Sequence, residues 1–184
     1  MEDAFQKIAD KYECQLNQTI GKFDLSHEVR NVPCMTTTII KYNEKLELLA
    51  ECISLWGTSQ KSSYFSANTP NQFKVSIRCY YKVAPPPAFS IADEGLLRKL
   101  FFKQNFKVYS KHSDFANTIK GDAALQNLYA LAKEEGELSP YIECKNGRLN
   151  INYQAFYFSE HVLDAALLFC HNLINTIKPY ARNH

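Results

Sequence analysis

The sequence is poor in the motifs that carry a defined chemistry. It has six glycines and one tryptophan among 184 residues, and it contains no glycine-rich phosphate loop, no G-x-S-x-G and no H-E-x-x-H motif. No two cysteines form a C-x-x-C pair, and no cysteine–histidine knuckle occurs, which argues against a structural zinc site. We therefore predict no catalytic residues, no metal ligands and no cofactor, and we favour a protein that is not an enzyme.

Long apolar runs and an excess of either charge are also missing. The most apolar stretch, VLDAALLFCHNLI, is interrupted by Asp164 and His171 and falls short of the ~20 residues that cross a bilayer. The acidic, amphipathic N-terminus, MEDAFQKIADKYE, is unlike a signal or transit peptide. With 21 basic and 19 acidic residues, the chain as a whole is no polyelectrolyte binder. These features predict a soluble cytoplasmic protein whose six cysteines are buried free thiols.

The N-terminal part, residues 1–83, predicts a short helix followed by strands. Apolar residues at helical spacing indicate a helix over residues 2–13. The β-branched CMTTTIIKYN and the alternating QFKVSIRCYYKV are typical of strands, and TIGKFDLSHEV indicates a strand with a bulge. KLELLAECISLW fits a strand or a helix, and its strand-like neighbours favour a strand. With GTSQKSSYFSANTPN as a polar loop, this part is expected to form an antiparallel meander.

A proline-rich stretch, APPPAF, interrupts this pattern. Its three prolines stiffen the backbone and forbid a helix there. We place a connection at residues 84–92, between the β-rich part and an α+β module at residues 93–184. The two parts either form closely packed lobes or share one core.

The C-terminal part mixes strands and helices. NFKVYS is strand-like, and SDFANTIKG and DAALQNLYALAKEEG each begin with Ser or Asp and close on Gly, as helices do. Asp93 can cap a further short helix, and Asn146-Gly147 predicts a type I′ hairpin. SEHVLDAALLFCHNLINTIKPYA predicts a long closing helix, capped by Ser159 and ended by Pro179. The predicted fold is therefore α+β: an antiparallel β-rich part, then a β-α-α-β-β-α module with a long C-terminal helix.

Five local motifs of this module occur in a fixed order. They are an F-x-V-x-S strand, an FA pair opening a helix, an L-x-x-L helix, an N-G-x-L-x-I hairpin and a long closing helix. The residues are Phe106, Val108 and Ser110; Phe115 and Ala116; Leu125 and Leu128; Asn146, Gly147, Leu149 and Ile151; and Val162 to Ile177. In this order they resemble the C-terminal module of an uncharacterised bacterial family, the domain of unknown function 3137.

That resemblance spans about residues 20–178 and implies no catalytic residues. Members of the family often carry membrane-spanning helices before this part, and an acidic GD-x-x-FD stretch before the F-x-V strand. This chain has FSIADEGLLRKLFFKQNF at the latter place. The resemblance therefore implies a fold for the second part and names no site.

One stretch, LRKLFFKQNFKVYSKH, combines bases with aromatics and contains no acid. It is either a binding surface or a structural segment with a solvated basic rim. Single-strand binders need exposed aromatics on a basic surface, and the phenylalanines here fit better in the core, which argues against nucleic acid. An acidic protein or an anionic membrane surface stays open as a partner. The candidate partner-binding residues are Arg98, Lys99, Lys103, Lys107 and Lys111, together with Trp56 before the polar loop.

The leading functional hypothesis is a non-enzymatic protein-interaction or regulatory module with an unknown partner. One alternative is a small-molecule-binding or hydrolytic protein whose site is assembled from distant residues; an apolar pocket with converging polar groups would favour it. Another is peripheral membrane association through the basic edge, at the inner face of the membrane. A large exposed aromatic patch would favour the interaction module.

Overall fold

The computed structural model describes residues 2–24, 31–55, 72–82, 84–93, 106–136, 140–155 and 157–178. This part of the chain contains helices α1 (Glu2–Lys11), α2 (Ser113–Lys120), α3 (Ala123–Gly136) and α4 (Glu160–Ile177). Its strands are β1 (Gln15–Asp24), β2 (Asn31–Tyr42), β3 (Leu46–Leu55), β4 (Gln72–Tyr81), β5 (Phe89–Asp93), β6 (Phe106–Ser110), β7 (Tyr141–Lys145) and β8 (Arg148–Ala155). The protein is α+β, as predicted.

All eight strands belong to one antiparallel sheet in the order β1-β2-β3-β4-β8-β7-β5-β6. The first four form the predicted meander, in which each strand pairs with the next. β8 then pairs along β4, from Phe73 opposite Ala155 to Tyr80 opposite Arg148. The sequences on either side of residues 84–92 therefore contribute to the same sheet, and β5 begins inside that proline-rich stretch.

The helices pack on one face of the sheet, where the core lies. Two contacts illustrate how the helices are held on that face. The Tyr81 hydroxyl of β4 donates to the Cys170 carbonyl of α4 at 2.9 Å, and Phe89 of β5 packs against Phe115 of α2. Alternate strand residues are buried beneath the helices because successive side chains of a strand point to opposite faces. Burial of apolar side chains on this helix-covered face stabilises the fold by roughly 25 cal/mol per Å² of apolar surface removed from water.

The local signals in the sequence are largely confirmed. α1 lies within residues 2–13, and the ambiguous KLELLAECISLW forms β3. Asn146 and Gly147 both have positive φ, 52° and 74°, as a type I′ turn requires. The Ser159 hydroxyl accepts a hydrogen bond from the Val162 amide and caps α4.

One local prediction is wrong, and others fall outside the described residues. β1 pairs with β2 in an uninterrupted register from Gln15 to Asp24, so no bulge occurs there. The imperfect alternation has another cause: Gln18 and Lys22 lie on the covered face near an end of the sheet that the described helices do not bury. The predicted polar loop at residues 57–71, the short helix after Asp93 and the stop at Pro179 lie outside the described residues.

Candidate binding groove on the open face of the sheet

A groove lies over the start of β5 on the open face of the sheet, the face opposite the described helices. It is lined by residues 88–90, 108–111 and 143–145. β5 turns only two small side chains, Ser90 and Ala92, to this face. The register sets Ser90 between Tyr109 of β6 and Glu143 of β7, and it sets Ala92 opposite Lys107. Directly opposite residues point to the same face of a sheet, so the larger side chains form walls and β5 forms the floor.

The groove has a volume of about 540 Å³ and is bordered at one end by two lysines, Lys111 and Lys145. Lys111 directly follows β6, and Lys145 is the last residue of β7. The Ser110 hydroxyl donates to the Ala88 carbonyl at 3.0 Å and fixes the chain where β6 ends. Because the groove is open to solvent and not enclosed, its shape suits a segment lying across the sheet better than a small molecule.

The open face is electrostatically divided. On β4, β8, β7, β5 and β6 the described side chains of this face include a single acid, Glu143, whereas the bases on the same strands are Lys74, Arg78, Lys107, Lys145 and Arg148. β3 carries two acids, Glu47 and Glu51, on the same face, and Glu47 forms an ion pair with Lys82 at 3.0 Å. We call the five-strand side the basic half of the open face. Such a local potential attracts negatively charged partners even though the net charge of the chain is +2.

Three half-exposed tyrosines accompany these bases. Tyr80, Tyr109 and Tyr141 are 44%, 49% and 50% exposed. The Lys107 ammonium lies 4.9 Å from the centroid of the Tyr109 ring, a cation–π contact. Tyr141 and Glu143 lie two residues apart on the same face of β7, and the negative charge of Glu143 raises the pKa of Tyr141. Exposed tyrosine with neighbouring arginine is the composition that recurs at the centre of protein interfaces.

The structure brings together part of the predicted basic stretch. Lys107 and Lys111 are both exposed, two residues to either side of Tyr109, and Lys111 lines the groove with Tyr109. Phe106 points the other way and stacks on Tyr129 in the core, at 4.5 Å between ring centroids, as its assignment to the core predicted. The remaining candidates, Arg98, Lys99, Lys103 and Trp56, lie outside the described residues.

Other residues of the groove and of the basic half were missed by reasoning from one continuous stretch of sequence. Tyr141, Lys145 and Arg148 come from the β7–β8 hairpin, which the sheet order places beside β5. The signal that could have found them is the alternation on either side of Asn146-Gly147. It turns apolar residues to one face and these polar and aromatic residues to the other.

A second polar cluster lies on the helix-covered face, where α1, α4 and β2 meet. The Tyr12 hydroxyl donates to a carboxylate oxygen of Asp164 at 2.9 Å, and the Lys11 ammonium donates to the same carboxylate at 2.7 Å. The Tyr12 ring stacks on His171. Lys41 donates to the Tyr12 carbonyl at 2.6 Å. These contacts fasten the first helix to the last one and to the sheet.

The titration behaviour of this cluster does not favour nucleophilic chemistry. Burial, followed by the neighbouring Asp164, raises the pKa of Tyr12, and burial raises the pKa of Cys14. Burial and Lys41 lower the pKa of His171, whose buried Nε2 has no hydrogen-bond partner in the described part of the chain. An activated nucleophile requires a lowered pKa or an adjacent base, and Tyr12 and Cys14 shift in the opposite direction.

The prediction of six buried free thiols is confirmed for five cysteines and is wrong for Cys14 in its burial. All six are free, five are buried, and Cys14 is partly buried. Burial raises the pKa of Cys52 and of Cys144 to about 12, and it raises that of Cys79, beside Cys170, well above its usual value. These thiols stay protonated in the core and act as small apolar side chains.

Comparisons with known protein families, curated proteins and solved structures find no match to this chain. The resemblance to a bacterial family therefore stays a prediction. Among the residues that the structure describes, no three His, Cys, Asp or Glu side chains are grouped to hold a metal ion. No described helix combines the length and the apolar character needed to cross a membrane.

Proposed function

We propose that the protein is a non-enzymatic interaction module that binds an acidic, extended protein segment on the basic half of the open face. The observation that carries this proposal is the groove over β5, where a floor of small residues is flanked by Tyr109, Lys111 and Lys145. A partner bound there would leave the helix-covered face and its core undisturbed.

Charge complementarity supports an acidic partner. The described side chains of the basic half carry five bases and one acid on the open face, namely Glu143. Complementary charge speeds association and excludes partners of the wrong sign. Lys107, Lys145 and Arg148 are exposed, so their contribution is expected mainly in the rate of association and in sensitivity to salt.

The shape and the aromatic content of the groove support an extended segment. A strand-like peptide presents alternate side chains to either side, which suits a trough with Tyr109 on one wall and Glu143 on the other. Tyrosines supply contact area at a small entropic cost. Glu143 is the one carboxylate among the described residues that line the groove, so a two-carboxylate hydrolytic mechanism finds little support there.

We further propose the cytoplasm as the compartment in which the module works. The five buried free thiols support this proposal, because reducing compartments keep cysteines unpaired.

The proposal can be tested without knowing the natural partner. Random peptides are selected by display on the wild-type protein, and the selected pool is sequenced. We expect enrichment in Asp and Glu, and binding that weakens as salt is raised. The combined variant Lys107→Glu, Lys145→Glu, Arg148→Glu should weaken the selected peptides by about tenfold or more.

The matched control is Lys7→Glu, Lys45→Glu, Lys133→Glu, which makes the same change in net charge at exposed positions away from the groove. Equal loss of binding in the two variants, or a selected pool without acidic enrichment, would contradict the proposal. Oligodeoxythymidine and phosphatidylserine vesicles serve as competitors. Tighter binding of either than of the selected peptides would replace the protein partner with a nucleic acid or an anionic membrane.

A further inference from the structure

The outer edge of β1 is unpaired by any described strand and carries few of the features that protect such edges. β1 is the first strand of the sheet and runs for ten residues, Gln15–Asp24. Its pairing with β2 is continuous, without a bulge, and it contains no proline. From Gln15 to Gly21 it also has no charged residue, and Lys22 is the first. Long, flat, uncharged edges offer their backbone amides and carbonyls to another strand.

An exposed isoleucine lies in the middle of this edge strand. Ile20 is 77% exposed, the highest value among the large apolar residues that the structure describes. It lies on the same face as the helices, opposite Met35 of β2, and beyond the end of the core. A single exposed Ile is ordinary on a protein surface, but its position at the centre of an unprotected edge makes it a natural contact residue.

The other edge of the sheet is protected in two ways. β6 has only five residues, Phe106–Ser110. It carries the exposed Lys107 and is followed at once by Lys111. Short length and lysine are devices by which edge strands avoid pairing with other chains. The two edges of one sheet therefore differ, and β1 is the one left open to association.

We propose that two copies of this chain associate through β1, paired antiparallel about a two-fold axis at Ile20. An antiparallel strand pair has its two-fold axis perpendicular to the sheet, so both copies keep their helices on the same face. Residues that face each other must then be both even-numbered or both odd-numbered, since alternate residues share a face. This rule leaves only a few registers for a strand of this length.

The register centred on Ile20 is the most favourable of them. It sets Ile20 against Ile20 of the partner subunit, so the exposed apolar side chain is buried against its own copy. It also sets Gln18 against Lys22 of the partner subunit, so the two lysines do not oppose each other across the pair. Apolar cross-strand pairs stabilise a sheet and directly opposed like charges destabilise it.

This association is independent of the proposed function. β1 and the groove over β5 lie toward opposite ends of the strand order, so a pair joined at β1 would carry two free grooves. A two-fold pair of this kind is closed, because each copy uses its β1 edge in the contact. It would also remove the open edge as a site of aggregation.

The test is sedimentation of the full chain over a range from about 1 µM to about 1 mM. We expect a concentration-dependent monomer–dimer equilibrium. Ile20→Lys should weaken it by about tenfold or more, because one substitution places two lysines face to face on the axis. Tyr109→Lys, at the protected edge, is the matched control and should leave the equilibrium unchanged. Circular dichroism melting checks that both variants are folded.

A cross-linking experiment tests the register itself. Ile20→Cys should form an interchain disulfide under mild oxidation, because the two positions meet on the axis. Lys22→Cys should not, because the two copies of that position are four residues out of register, on the order of 13 Å apart. A chain that stays monomeric throughout the range, a dimer unaffected by Ile20→Lys, or equal cross-linking at both positions would overturn the proposal.

Discussion

The side chains of β4 alternate between the two faces of the sheet. Its odd-numbered residues, from Phe73 to Tyr81, are buried beneath the helices. Its even-numbered residues Arg78 and Tyr80 are exposed on the open face. The same strand therefore serves two purposes: one half of its alternation builds the core, and the other half builds a surface. On this basis, substitutions on the covered face should change stability, and those on the open face should change binding.

The largest effect is expected from Phe169→Ala on α4. Phe169 is fully buried in the core cluster, and its truncation should lower the free energy of unfolding by about 3–5 kcal/mol. Urea unfolding measures it. The adjacent Leu168 is 37% exposed, and Leu168→Ala should cost less than about 1 kcal/mol. Similar costs for these neighbours would mean that α4 does not present the face described here.

A smaller effect is expected from Asp164→Asn. The carboxylate accepts from the Tyr12 hydroxyl and from the Lys11 ammonium. Its loss should cost about 1–2 kcal/mol, mainly through the part-buried Tyr12 contact, because Lys11 is half exposed and its ion pair is screened by water. Asp10→Asn, which alters only an exposed contact with Gln6, is the control for urea unfolding. If Asp164→Asn lowers the free energy of unfolding no more than the control does, these contacts do not hold α1 in place.

The open face should respond in the opposite way. Tyr109→Ser should leave the free energy of unfolding within about 1 kcal/mol of wild type. It should weaken the selected acidic peptides by several-fold, because it removes one wall of the groove and the cation–π partner of Lys107. Titration calorimetry and urea unfolding on the same sample separate the two quantities. Lost stability with unchanged affinity would assign Tyr109 a structural role only.

The smallest effect is a pH dependence of stability due to His171. Burial and the nearby Lys41 lower the pKa of His171 in the folded state, which favours the neutral imidazole. Its contribution is fully present above the unfolded pKa of about 6.5 and is lost as the pH falls below that value, because the unfolded chain takes up the proton more readily. His171→Gln should flatten this part of the curve, and a comparison at pH 8 isolates the loss of stacking on Tyr12. An unchanged slope below pH 6.5 would assign the dependence to other groups.

The elements of the fold were largely predictable from the sequence, because their signals are local. Alternation in QFKVSIRCYYKV, the Asn146-Gly147 turn and the Ser159 cap each depend on a few neighbouring residues. Even β3, whose pattern fitted two structures, was assigned correctly from its strand-like neighbours. The bulge in β1 was predicted wrongly because polar residues on the covered face of an edge strand mimic a break in alternation.

The site was less predictable because its residues come from separate strands. Lys107 and Lys111 could be identified from their own stretch, but their neighbours Glu143 and Lys145 follow only from the pairing of β5 with β7. No local sequence pattern specifies that β5 pairs with β7 or that β8 pairs with β4. The position of the groove also depends on small side chains that lie between larger ones. The sequence alone does not show that Ser90 lies between Tyr109 and Glu143, because this follows from the pairing of β5 with β6 and β7.

Because β8 lies between β4 and β7 in the middle of the sheet, the strand pairs of the sheet are expected to form in a definite order. The β1–β4 meander is made of pairs between consecutive strands, and such local pairs form quickly. The pairing of β4 with β8 is slower, because the two strands are far apart in sequence. Until Arg148–Ala155 is present, the ten-residue strand β4 is itself an unpaired edge of the meander. During synthesis the ribosome releases the first half before the second, so the nascent chain passes through a state in which this edge of β4 has no partner strand.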